Sequence, residues 1–384
     1  MSPVNVLFIT SYADLGGGET ALVTLAQSLD PARYLPHLLV PREGQLSQRW
    51  QALGWPVHVT PWRAASVYFV PALWARLPVT QHMTQIIREQ QIQAVHAEYH
   101  ALPFALPAAE RAGVPLLWTC MGWWFRPKLW QRGFFQRPAA AFAHSQAIKD
   151  GFLGRPPFMP PARMEVLYPG VDTARFRPDV DGIKVRFEAN IPQDAPVVAM
   201  IARFQSVKGH EVFQAMAKQV ALQVPQARFI VAGENTQTEA DNTYKQDILR
   251  AAQADSLLHK RLVYLGFRPD VERVIAAADV VVCASHFEGY GVALVEAMAC
   301  GKPVVSTSRG GPAETVADGE TGYLVPPGDP AALASRVIEL LRDADLRRRM
   351  GAAGRARVLR LFAAESNGAQ FTRALERALA APQK

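Results

Sequence analysis

Residues 279–301 read DVVVCASHFEGYGVALVEAMACG. The valine run is the length and composition of a buried strand, Gly289 and Gly291 free the backbone after it, and apolar residues then recur at helical spacing. A strand therefore delivers Glu288 to its carboxyl end. The helix beginning near Gly291 points unpaired N–H groups and the positive end of its dipole into the same space. Glu296, eight positions beyond Glu288, falls in the first turns of that helix.

The same strand-and-helix alternation extends outward in both directions. VNVLFIT (4–10), YLPHLLV (34–40), PVHVT (56–60), AVHA (94–97), PLLWT (115–119), AAFAH (140–144) and MEVLY (164–168) read as strands, most of them separated by helical segments. YPGVDTARFRP (168–178) interrupts the pattern with two prolines and a glycine and reads as a linker. The alternation restarts at VVAMIA (197–202) and continues through RFIVAG, LVYLG, DVVVCAS, KPVVSTS and GYLVP, with a helix expected from Lys208 to Gln223 and helices from Asp329 onward. This pattern predicts an α/β protein with mainly parallel sheets covered on both faces. At 384 residues the chain exceeds a domain of about 150, and two domains are expected, 1–170 and 171–364, with the helix at 365–384 returning to the first.

Composition narrows the function classes. Hydrophobic residues at 49% and charged residues at 20% provide for two packed cores rather than a disordered chain. Cys120, Cys283 and Cys300 are far apart and lack C-x-x-C spacing, so neither a disulfide framework nor a zinc site is suggested. No apolar run of membrane-spanning length and no basic leader is seen, and a cytoplasmic protein is expected. Residues 1–165 carry 14 Lys and Arg against 9 Asp and Glu, an excess of five in a total of +7. A basic first half suits an anionic partner or serves solubility. The charge is too modest, and readout elements too absent, for a nucleic-acid partner to be expected.

Three groups of residues point to chemistry. Gly16, Gly17, Gly18 and Glu19 stand where a strand gives way to a helix, where absent side chains let a phosphate approach the backbone; the spacing is not G-x-G-x-x-G, and a plain tight turn reads from it equally well. Arg203 and Lys208 flank a loop at the carboxyl end of a strand, where doubly wound sheets bind ligands and two cations can neutralise a diphosphate. Glu288 and Glu296 bracket the Gly-rich turn, so that one carboxylate can face a sugar while the other reaches a ribose.

These stretches resemble glycosyltransferase family 4, a family of retaining enzymes with the two-domain GT-B fold. The resemblance lies in IARFQSVKG (201–209), the stretch from Leu265 to Val305, GGPAETVADGETGYLVPPGD (310–329), and in the first half GGGET, VHAEYH, AHSQAIKD and YPGVDTARFRP. It covers nearly the whole chain, and its most specific element is E-x7-E combined with the upstream Arg and Lys.

The resemblance implies two Rossmann-like domains with parallel sheets facing across a cleft, and transfer of a sugar from a UDP- or GDP-linked donor to an acceptor hydroxyl. It places Glu288 beside the donor sugar, Glu296 on the ribose, and Arg203 and Lys208 on the diphosphate. Gly289, Tyr290 and Gly291 then form the turn at the donor, Gly17 and Gly18 touch the donor phosphate from the other domain, and Phe267 and Arg268 line the base. No cofactor, essential metal or dedicated nucleophile is implied, because cations and helix N–H groups stabilise the departing nucleoside diphosphate. Acceptor and sugar are not specified.

One departure is visible. Many members of the family have a histidine near the sugar where this chain has Met121, which packs but cannot donate a strong hydrogen bond. His96, His100 and His144 are the candidate substitutes, although an isolated histidine is more often a structural residue. Residues 118–137 mix Trp123, Trp124, Phe125, Trp130, Phe134 and Phe135 with Arg126, Lys128, Arg132 and Arg137. That mixture suits an anionic lipid surface at the inner membrane face, a stacked acceptor sugar, or a core helix with a solvated basic face. Rival readings are a nucleotide-sugar epimerase, a glycogen-type phosphorylase, which would need a longer chain and a pyridoxal lysine, and a non-catalytic nucleotide-sugar binding protein.

Overall fold

The computed structural model describes residues 3–65, 69–122, 126–234 and 239–381. The chain forms two compact units, Met1–Gly170 together with Ala364–Lys384, and Val171–Ala363.

The first unit is built on seven parallel strands, β1 (Val4–Ile9), β2 (Tyr34–Val40), β3 (Val57–Val59), β4 (Ala94–Glu98), β5 (Leu116–Cys120), β6 (Ala140–Ala143) and β7 (Met164–Val166), in the order β3-β2-β1-β4-β5-β6-β7. The second holds six, β8 (Val197–Ile201), β9 (Arg228–Ala232), β10 (Leu262–Gly266), β11 (Val280–Cys283), β12 (Val304–Thr307) and β13 (Gly322–Val325), in the order β10-β9-β8-β11-β12-β13. Parallel strands need crossovers that lay helices on both faces, which is why the central strands are apolar on successive residues rather than on alternate ones. Phe8 and Ile9 of β1, for example, point to opposite faces and both are buried. Each sheet reverses its winding once, between β1 and β4 in the first and between β8 and β11 in the second. The carboxyl ends of those strand pairs are where this architecture opens a crevice.

The helix Ala364–Ala380 belongs to the first unit. Its Phe371 ring lies 6.2 Å from Phe8 and 5.9 Å from Phe142, and Arg377 pairs with Glu165 at 2.8 Å. Gly368 is required there, since a Cβ would come within 2.1 Å of the Ser28 hydroxyl.

One element differs from the sequence expectation. The helix expected from Lys208 starts instead at His210. Ser206–Lys208 form a 3-10 turn, and Gly209, with φ +68°, takes the left-handed conformation that separates the two.

Candidate active site

In the second unit the site grows out of two loops at the reversal point of the sheet. β8 ends at Ile201 and leads to Arg203 and the Ser206–Lys208 turn; β11 ends at Cys283 and leads through Ser285 to Glu288. The loops are tied by backbone, the His286 N–H donating to the Val207 carbonyl at 2.8 Å. A Cβ on Gly209 would stand 2.2 Å from the Ala284 oxygen, so glycine alone permits this approach. Glu288 is fixed from its other side, its N–H donating to the Arg309 carbonyl and its own carbonyl accepting from Gly311.

This scaffold brings Lys208 Nζ to 2.6 Å from Glu288 Oε2, with 19% and 16% of the two side chains exposed. The Ser285 hydroxyl donates to the same oxygen at 3.2 Å. Arg203, on the same loop after β8, is exposed and has no ion-pair partner among the described residues. The helix Val292–Ala299 begins at Gly291, whose φ of +89° only glycine adopts readily, with no side-chain cap on its first N–H groups. Those donors are the kind that an anionic oxygen satisfies.

Glu296 sits inside that helix and is 8% exposed. Burial pushes its carboxyl up to about 8, partly opposed by the charge of Arg175, which pairs with Glu272 at 2.7 Å. No side-chain hydrogen bond of Glu296 is formed among the described residues. A buried carboxyl in that state calls for a hydroxyl partner.

Other predicted positions are placed differently from one another. Tyr290 is buried with its ring edge-on to Phe362 at 6.1 Å, so its contribution next to Gly289 is through backbone. Phe267 is 42% exposed and free to stack, whereas the Arg268 guanidinium is engaged by Asp270 at 2.8 and 2.7 Å and by Glu188 at 2.6 Å.

In the first unit the helix Gly17–Gln27 starts after Gly16 without a side-chain cap, and a Cβ on Gly18 would lie 3.1 Å from Met121 Sδ. Met121 therefore packs onto the glycine turn. His96 is buried, bonds Thr119 Oγ1 at 2.8 Å, and is held neutral by burial, which pushes it down to about 3; its surroundings are Phe8 and Phe371. Burial likewise pushes His144 down to about 4. His100 is half-buried with Nδ1 3.1 Å from the Ala65 carbonyl, which can only accept, so Nδ1 is the donor there.

Sequence reasoning missed Glu98. Its two oxygens accept from the Ser11 N–H at 2.9 Å and the His100 N–H at 2.7 Å, joining the loops after β1 and β4 at the reversal point. Its position at a strand end was the available signal, but a lone Glu in VHAEYH carries no spacing rule. The aromatic segment divides between the core and the surface. Trp118, Phe134 and Phe135 lie in the core, Trp118 with Phe135 at 5.3 Å and with Phe152 at 5.2 Å, and Arg137 pairs with Glu110. Trp123, Trp124 and Phe125 lie outside the described residues.

Among the described residues no helix is long and apolar enough to cross a membrane, and no group of three or more His, Cys, Asp or Glu is arranged to hold a metal ion.

Residues 182–357 match the family model of glycosyl transferases group 1, and residues 15–175 match that of glycosyltransferase family 4. D-inositol 3-phosphate glycosyltransferase of Corynebacterium efficiens is 34% identical over 198 residues, 50% of this chain and 46% of that protein. N-acetyl-alpha-D-glucosaminyl L-malate synthase of Bacillus anthracis is 31% identical over 194 residues, 50% and 48% of the two chains. The chain thus matches about half the length of these curated relatives. Anabaena HepE in complex with UDP and glucose has the same fold, with a TM-score of 0.81 at 22% identity over 97% of this chain and 99% of that one. So does a glycosyltransferase from Rickettsia africae, with a TM-score of 0.85 at 18% identity over the whole of both chains. With both halves matched by family models and the two parallel sheets of a GT-B protein, the chain belongs to the group 1, or family 4, glycosyltransferases.

Proposed function

We propose that this protein transfers a sugar from a nucleoside-diphosphate donor, UDP- or GDP-linked, to an acceptor hydroxyl with retention of anomeric configuration. The observation that carries the reading is the Lys208–Glu288 pair at the reversal point of the second sheet, with Arg203 on the same loop as Lys208. Arg203 and Lys208 hold the diphosphate, and the uncapped start of the helix Val292–Ala299 adds N–H donors. Glu288 stands at the sugar, and Glu296, buried and without a partner among the described residues, takes the ribose hydroxyls. Phe267 stacks on the base.

In the reaction the bond from the anomeric carbon to the phosphate oxygen breaks and the acceptor oxygen bonds to that carbon on the same face. The acceptor proton passes to the leaving phosphate oxygen. Charge developing on the diphosphate is met by Arg203 and Lys208, which do this work without a metal. The matched relatives are named for glycosyl transfer onto an inositol phosphate and onto malate, which supports the reaction class and leaves the acceptor open.

Incubation with a panel of UDP- and GDP-sugars, followed by proton NMR of the anomeric signal, tests the reading. Slow release of the sugar with the donor's own anomeric configuration is expected first. An epimerised donor, or no turnover of any donor with any acceptor, would refute it.

A further inference from the structure

Outside the proposed donor site, one surface of the first unit joins exposed apolar side chains to an uninterrupted run of positive charge. Leu129 and Trp130, on the single-turn helix Leu129–Arg132, are 78% and 59% exposed. Leu73, within the turn Pro71–Trp74, and Leu77, just after it, are 57% and 37% exposed. Sequence separates these segments, but the fold clamps them together. The buried Gln131 amide donates to the Phe69 carbonyl at 3.0 Å, and the Phe69 ring meets Phe134 and Phe135 edge-on at 5.1 and 5.9 Å. The core residues of the aromatic segment thus act as the anchor that presents Leu129 and Trp130 outward.

Charge decides what can cover such a face. Residues 61–88 contain three arginines and no acidic residue, and residues 111–149 contain six Lys and Arg and no acidic residue. Arg76, Arg126, Lys128 and Arg132 are all exposed. Of the acids that border these stretches, Glu110 is paired with Arg137, and the exposed Glu89 and Asp150 are two carboxylates against nine cations. Another copy of this chain would bring the same positive charge to the face, which opposes self-association there. Adjacent exposed Leu and Trp with a cationic fringe are what an anionic bilayer interface accepts, the rings and alkyl groups entering the acyl boundary while the cations stay with the headgroups.

We propose that the Leu73–Leu77 and Leu129–Trp130 surface docks the protein on a bilayer bearing anionic headgroups. The full chain would be sedimented with vesicles of phosphatidylcholine alone and of phosphatidylcholine mixed with phosphatidylglycerol, whose anionic headgroups give the surface a negative potential. Binding to the charged vesicles and not to the neutral ones is expected, weakened at least tenfold by the double substitution Leu129→Ser with Trp130→Ser. Replacing Arg126, Lys128 and Arg132 together by Gln should abolish the preference for charged vesicles. Both variants alter exposed side chains, so circular dichroism and melting temperature should match wild type. Absence of binding to charged vesicles would overturn the proposal, as would a double variant that binds them like wild type. So would lipid-free sedimentation in which wild type dimerises and the double variant does not, since a second copy would then be the occupant.

Discussion

Lys208 and Glu288 are eighty positions apart in sequence, yet Nζ of one lies 2.6 Å from Oε2 of the other. The pair exists because β8 and β11 are neighbours at the one point where the second sheet reverses, so the loops that leave their carboxyl ends share a crevice. An ammonium held by a single carboxylate and still partly open on its other side is poised to share its charge with a phosphate.

Replacing Glu288 with Gln keeps an acceptor for Lys208 and Ser285 while removing the negative charge next to the sugar. Transfer should fall by about two orders of magnitude or more, on the scale of losing one preorganised electrostatic group, with the melting temperature nearly unchanged. A steady-state assay beside a thermal melt separates this from unfolding. Unaltered turnover would refute the role of Glu288.

Gly209→Ala should be costly although the residue touches no ligand. Its left-handed backbone penalises any Cβ by about 1–2 kcal/mol, and the Ala284 oxygen only 2.2 Å from that atom forces the Lys208 turn away from the Glu288 turn. Urea denaturation should show a loss of at least about 2 kcal/mol, and donor affinity should fall with it. A variant as stable as wild type would contradict the backbone contact as described.

Burial raises the Glu296 carboxyl to about 8 from its ordinary value of 4.5. The folded state therefore binds a proton that the unfolded chain has released between these pH values, so the stability it confers is full below about 4.5 and is lost as pH rises through 8. Wild type should lose melting temperature from pH 5 to 8 relative to Glu296→Gln, which lacks the titration. Parallel curves for the two proteins would show that Glu296 is ionised at neutral pH.

Chelation is expected to leave transfer unchanged, because Arg203 and Lys208 occupy the electrostatic role that a divalent ion would otherwise fill. Activity assayed after dialysis against EDTA, with and without added magnesium, checks this. A requirement for the metal would contradict it.

Much of the fold was legible because continuous apolar strands alternate with helical periods, and that alternation has few solutions other than parallel sheets with helices on both faces. The Glu288 and Glu296 turn could be read for the same local reason, since strand end, glycines and helix start are all within one segment. What sequence could not supply was pairing across distance. Nothing in IARFQSVKG indicates that Lys208 meets Glu288 rather than solvent, and nothing in VHAEYH indicates that Glu98 bridges Ser11 and His100. The aromatic segment stayed open because ring and cation counts do not say which rings turn inward; Phe134 and Phe135 do, through contacts with Phe69 contributed by a separate loop. Arg268 was legible as a cation next to Phe267, but not as one already held by Asp270 and Glu188.

Calorimetric titration of wild type, Arg203→Ala and Lys208→Ala with UDP and with GDP tests most directly whether these two cations hold the donor's diphosphate. One of the two nucleotides should bind wild type, and each substitution should weaken it about tenfold or more, the scale of a lost charge-assisted hydrogen bond. Equal affinity in all three proteins, or no binding of either nucleotide to wild type, would contradict it.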